Sequence, residues 1–201
     1  MELIMKEIKS TTIYFEGSGR DNTERVLELV EHRAKELNIS TALVASTTGF
    51  TGNLAVKVLK DIKVLVVSHV TGYAGSNTQE LTEENRKAIE MGGGKILTAQ
   101  HSFAGVNRAI RKKLETYQQD EIITDVLRLF GSGMKVMLEI AMMAADAGLV
   151  DTGKPVIAVA GTHRGADTAA VIIPDNSDNF FDLKVLEFIC IPASSHPLYG
   201  K

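Results

Sequence analysis

Four short apolar runs, Thr41–Ala45, Val64–Val67, Lys95–Ala99 and Pro155–Ala160, each stop at a cluster of glycine, hydroxyl or imidazole residues. Stretches of helical periodicity follow the first two, near 53–60 and at 82–91, and Glu83 and Glu84 fall in the first turn of the later one. Carboxylates there complement the helix dipole. Strand-length runs alternating with helices require crossover connections, so the pattern predicts βαβ units and a parallel sheet. Upstream, Val26, Leu27, Val30, Ala34 and Leu37 recur at helical spacing after an expected N-cap at Asn22 or Asp21, behind a short strand at Thr12–Phe15 and a break at Gly17–Ser18–Gly19.

Between 106 and 148 strand signals vanish. Helices are expected at Val106–Tyr117, Glu121–Phe130 and Met134–Ala147, with Gly131–Ser132–Gly133 read as a connector first and an anion-holding loop second, as is Gly17–Ser18–Gly19–Arg20 before its own helix. In the last helix Met134, Met137, Leu138, Ala141, Met142 and Ala145 form an apolar stripe that reads as core. After Pro155–Ala160 the chain returns as Ala169–Ile173 across a connection too short for a crossover helix, so this pair is expected to be antiparallel. Val185–Ile191 is expected to be an edge strand, and the exposed edge beyond the antiparallel strand suggests pairing between copies, a homo-oligomer. Without a linker, low-complexity segment or repeat, residues 1–201 are read as one α/β domain.

Composition narrows the partners. The chain has 201 residues, is 44% hydrophobic, and sets 22 Lys+Arg against 25 Asp+Glu for a net charge of −3. That balance supports a core and supplies no basic field for nucleic acid or an anionic membrane. The one cysteine, Cys190, cannot form an internal disulfide. No apolar run nears the ~18 residues of a membrane span. The opening MELIMKEIKSTT lacks the apolar core of a signal peptide. A cytoplasmic protein is expected.

In an open α/β sheet, chemistry sits beyond the C-terminal strand ends. There the loop Ser46, Thr47, Thr48, Gly49, Phe50, Thr51, Gly52 gathers hydroxyls and glycines ahead of a helix. Hydroxyls and free helix N–H groups can hold a phosphate, although the same loop also reads as a solvated cap turn. Gly92–Gly93–Gly94–Lys95 is followed by Ile96 rather than Ser or Thr, so it reads as a helix end and not a Walker loop. His69 (with Thr71 and Gly72 close behind), His101 and His163 follow three different strands. They could converge on a metal for hydrolysis, or supply hydrogen bonds and titratable charge to a phosphate crevice. In the hairpin loop, Thr162, Arg164, Gly165, Asp167 and Thr168 offer a guanidinium fork for phosphate, with Asp167 ordering the turn or accepting from sugar hydroxyls, or a surface turn in which Arg164 pairs with Asp167. Phe50, Tyr73 and Phe103 stand by these loops, where they could flank a flat ring or simply anchor the loops.

Two segments carry a resemblance. TALVASTTGFTGNLAVKVL is similar to the first strand–loop–helix of the pyruvate kinase C-terminal domain, and KPVIAVAGTHRGADTAAVIIP is similar to its fourth and fifth strands. More closely, the chain resembles small stand-alone archaeal and bacterial proteins of that fold, through Ile13–Phe15, Gly19–Thr23, Val44–Gly49, Met143–Gly148, Arg164–Ala169 and Asn179–Asp182. The kinase's catalytic barrel is missing from the sequence, so kinase activity is not implied. The resemblance implies a three-layer α/β/α fold, mostly parallel, of strand order 3-2-1-4-5 with the last strand antiparallel. It brings Ser46–Gly52 beside Thr162–Thr168 at the switch point. It also implies flavin mononucleotide (FMN) as a cofactor, with Ser46, Thr47, Thr48, Gly49 and Thr51 on the phosphate, Arg164 adding charge, and Asp167 with Thr168 on the ribityl chain. The alternative is a regulatory module that binds a sugar phosphate without catalysis.

Overall fold

A computed structural model describes residues 7–193. The signal-peptide reading and the outer ends of the 1–201 domain therefore fall partly outside the described residues. In chain order the elements are β1 (Ile13–Phe15), α1 (Thr23–Leu37), β2 (Thr41–Ala45), α2 (Phe50–Val58), β3 (Lys63–Ser68), α3 (Glu83–Met91), β4 (Lys95–Thr98), α4 (Val106–Leu114), α5 (Gln119–Arg128), α6 (Ser132–Asp146), β5 (Val156–Ala160), β6 (Thr168–Ile173) and β7 (Lys184–Pro192). They build a seven-stranded sheet of order β1-β7-β6-β5-β2-β3-β4. Only β6 runs against its neighbours.

The stretch β4-β3-β2-β5-β6 is the expected 3-2-1-4-5 order with its last strand reversed. Two strands extend it. β7 pairs with β6 and is itself covered by β1, with Ile13 opposite Cys190. Hence β7 is not an edge strand, and the edge expected beyond the reversed strand is closed within the chain. The outermost strands are β1 and β4.

Helices cover both faces. Val26, Leu27 and Val30 of α1, Ala55 of α2 and Ile89 of α3 pack on Ala42, Val44, Val66, Ile157 and Val159. On the other face Met137, Leu138, Ile140, Ala141 and Ala144 of α6 pack on Leu43, Leu65, Ala158, Ala170 and Ile172. The central strands are buried on both faces, which is why they read as unbroken apolar runs rather than alternating ones. Each fully buried leucine, such as Leu43 or Leu65, stabilises the fold by roughly 1.5–3 kcal/mol. The methionine stripe of α6 is core, as its spacing suggests.

Helix starts depart from expectation for local reasons. α2 begins at Phe50, earlier than the expected Asn53, because Gly49 at φ 95° turns the chain sharply and the Ser46 hydroxyl accepts the Gly52 N–H at 3.1 Å. Asn22 precedes α1, yet its side chain donates to the Gly17 carbonyl rather than capping the helix. α3 ends as expected at the glycine run, with Gly93 at φ 81°. Among the described residues, no helix is long and apolar enough to cross a membrane.

Candidate functional site

Because β2 and β5 are parallel neighbours, the loops after them leave the sheet on one rim. The sheet order places β3 and β4 beside them, so four strand ends share that rim. A crevice of about 540 Å³ opens there, lined by the β2–α2 loop, the β5–β6 hairpin, the segments after β3 and β4, and one side of α6. The two glycine-and-hydroxyl turns therefore stand side by side, and Ala45, Val67, Val136 and Ile140 give the crevice an apolar share of its wall.

In the first turn the Ser46 hydroxyl is spent on Gly52, and the Thr48 carbonyl accepts from Thr82 N and Asn85 Nδ2. The amides of Thr47, Thr48, Gly49, Phe50 and Thr51 have no acceptor among the described residues. Consecutive unpaired amides at a helix start are the ordinary means of holding an anion. The second turn is shaped from beneath. Asp167 is fully buried, and its carboxylate accepts from Gly19 N (2.8 Å), Thr162 N (2.9 Å) and Thr168 Oγ1 (2.6 Å). Thr23 Oγ1 accepts from Ala166 N as well. A Cβ on Gly165, at φ 81°, would collide with the Arg20 backbone, so the hairpin reaches the 17–20 turn only through glycine. His163 holds a left-handed φ of 61° in the same loop.

The imidazoles form the opposite wall. His69 Nδ1 lies 2.8 Å from Glu80 Oε2, and its Nε2 lies 3.3 Å from Thr47 Oγ1. The His69 ring centroid is 4.4 Å from that of Tyr73 and 5.0 Å from that of His101. Arg108 caps the Tyr73 ring at 4.4 Å. Burial holds the His101 imidazole below its usual titration range, and its Nε2 accepts the Val70 N–H at 3.4 Å, so the neutral ring carries its proton on Nδ1. From α6, Lys135 pairs with the buried Glu139 at 2.6 Å, and Glu139 accepts from Phe103 N. Beyond these groups lies a second cavity of about 360 Å³, which shares Tyr73, His101, Arg128, Lys135 and Glu139 with the first.

Of the residues singled out in the sequence, Ser46, Thr47, Thr48, Phe50, Thr51, His69, His101, Arg164 and Gly165 line the crevice together, and so does His163. Thr71 and Gly72 are exposed outside it. Gly49 is the turn rather than the wall, and Thr162 serves Asp167 with its amide. Asp167 orders the turn, one of its two expected roles, and as ribityl ligands both it and Thr168 are corrected, since they are buried and bonded to each other. Nor does Asp167 pair with Arg164. Phe50 carries the Arg20 guanidinium 3.8 Å above its ring, so one face is taken. For the three-histidine metal reading, the described residues contain no group of three or more His, Cys, Asp or Glu able to hold an ion.

Arg20 and Ser132, from turns read as connectors first and anion loops second, line the crevice, and so do Glu80, Lys135 and Glu139, which were not singled out. Lys135 and Glu139 had a signal, being an i, i+4 charged pair on an otherwise apolar helix. Glu80 had none. Cys190, in β7, is buried with its thiol pushed up to about 12 by burial, and takes no part in the crevice.

The fold is an open, mostly parallel α/β sheet with hydroxyl, amide and cationic groups gathered at its switch point, the place where sheets of this kind hold ligands. The family model described as pyruvate kinase, alpha/beta domain, matches residues 24–172, and the chain belongs to that family. A crystal structure of a pyruvate kinase from Cryptosporidium parvum aligns over 76% of this chain at 14% identity with a TM-score of 0.41. The chain spans 23% of that kinase.

Proposed function

We propose that the crevice binds FMN. What carries this reading is the run of five acceptor-less amides, Thr47 to Thr51, facing a hairpin that bears Arg164 and flanked by the imidazole–phenol wall of His69, Tyr73 and His101. The amides with Thr48 and Arg164 suit a phosphate, and charge-assisted bonds to such a group are the strong ones. The ring wall suits a planar heterocycle. Ser132, Lys135 and Glu139, in place of Asp167 and Thr168, are the polar groups left for a ribityl chain. When bound, the flavin supplies electron and hydride transfer, while the chain's residues hold and orient it. The lone, buried, unbridged thiol accords with a cytoplasmic setting.

The test is flavin fluorescence on titration with the purified protein. FMN is expected to be quenched saturably, riboflavin to bind at least about tenfold more weakly for want of the phosphate, and Arg164→Ala to weaken FMN several-fold. A sugar phosphate that raises the melting temperature where FMN does not would replace this reading with the regulatory-module one. If neither compound shifts it, both readings fall.

A further inference from the structure

His69 is engaged at both ring nitrogens, by Glu80 on Nδ1 and Thr47 on Nε2. An ionised carboxylate only accepts, so in the neutral ring the proton lies on Nδ1, and Nε2 accepts from the Thr47 hydroxyl. The single Thr47 proton is then turned to the imidazole, and the hydroxyl shows the crevice only lone pairs. An arriving phosphate would meet those lone pairs unfavourably. One added proton on His69 reverses the chain: Nε2–H donates to Thr47 Oγ1, and the freed Thr47 proton donates to the ligand. Glu80 then faces an imidazolium whose charge it offsets.

Arg164, Arg128 and Arg20 keep their charge throughout, and His163 on the hairpin is the other imidazole on the wall, from which His69→Gln distinguishes this role. Of the two carboxylates on the crevice wall, Glu139 is matched by Lys135, whereas Glu80 has only His69 as ion-pair partner among the described residues. His101 is occupied as an acceptor by Val70 N. Arg108 stacks on Tyr73, and Arg20 stacks on Phe50. Resting on the phosphate-binding reading above, we propose that Thr47, His69 and Glu80 form a proton-coupled clamp for a phosphate monoester, which binds as the dianion with uptake of one solvent proton at His69. No covalent bond forms or breaks. Imidazole is suited to the task because it changes charge near neutral pH.

Isothermal titration calorimetry of the full chain, in two buffers of different ionisation heat at pH 7.5, tests this with FMN, inorganic phosphate and riboflavin. FMN and phosphate are expected to take up a sizeable fraction of a proton, and riboflavin none. Because the ligand is already largely a dianion above pH 7, FMN affinity is expected to fall by up to about tenfold per pH unit from 7 to 9. His69→Gln retains an amide but cannot titrate, so it is expected to abolish the uptake and flatten the pH profile. Glu80→Gln is expected to reduce both affinity and uptake. FMN binding to the wild type without buffer-dependent heat overturns the clamp and leaves the flavin reading standing. Proton-coupled phosphate binding, with FMN no tighter than phosphate, supports the clamp and removes the flavin reading. Failure of every phosphorylated compound to bind overturns both.

Discussion

His101 shows how one residue's surroundings fix its chemistry. Packing against His69 and Tyr73 strips it of water, and Val70 N–H occupies its Nε2 lone pair. Desolvation is the main cause of its lowered pKa, opposed by the Glu139 carboxylate. The sign for stability follows directly. The unfolded chain takes up a proton near the ordinary histidine value of ~6.5, whereas the folded chain resists, so this contribution is present above that value and is lost as pH falls below it. Wild type is expected to lose stability on acidification from pH 6.5 toward 5, with a slope from this group of at most about 1.4 kcal/mol per pH unit. His101→Gln is expected to remove that slope, measured by urea unfolding across the range. An unchanged slope in the variant means that His101 is protonated as readily folded as unfolded.

At the level of elements, the β5–β6 hairpin is placed by Asp167. Its carboxylate joins the strand end to the 17–20 turn and to Thr162 and Thr168 at once. In Asp167→Ala both oxygens are lost, and the Gly19 and Thr162 N–H groups and the Thr168 hydroxyl lose their acceptor. The expected cost is about 2–4 kcal/mol in urea unfolding, accompanied by weaker ligand binding as the hairpin loosens. A loss under ~1 kcal/mol would show that another contact sets the hairpin. The hairpin itself was legible from sequence, because its connection is too short for a crossover; for Asp167 the sequence offered two roles, ordering the turn or bonding a sugar, and could not choose between them. A buried aspartate in a glycine-rich turn looks like a ligand until its three donors are known, and one of them, Gly19, lies at the far end of the chain. Thr47 and the strand-end histidines were legible because strand direction alone puts them on one rim. Glu80 was not, since it reaches His69 through a segment without regular structure, and no spacing in the sequence encodes that approach.

Across the whole molecule the same limit recurs: local patterns announce helices and strands, while long-range pairing announces nothing. The pairing of β1 with β7, near opposite chain ends, escaped a reading that found each strand separately. Burial is also uneven. In α6 the residues from Gly133 to Ala145 are buried except Lys135 and Val136, whereas no residue of α4 and only Thr124 of α5 is buried. Ile122, Val126, Leu129 and Phe130 stay exposed along α5 and just beyond it. Elements with little buried apolar surface open at lower free energy than the core. Hydrogen exchange is therefore expected to be fast in α4 and α5, through local opening, and slow in β2, β3, β5 and α6, near the global limit. The second cavity is walled by α4 and α5 and joins the crevice through Arg128, Lys135 and Glu139. FMN is accordingly expected to slow exchange first at 47–51 and 161–167, then in α5, and to leave α1 unchanged because its buried face lies on the opposite side of the sheet from α6. Uniform slowing that includes α1 would mean that the ligand stabilises the molecule globally instead of closing the α4–α5 side over the crevice.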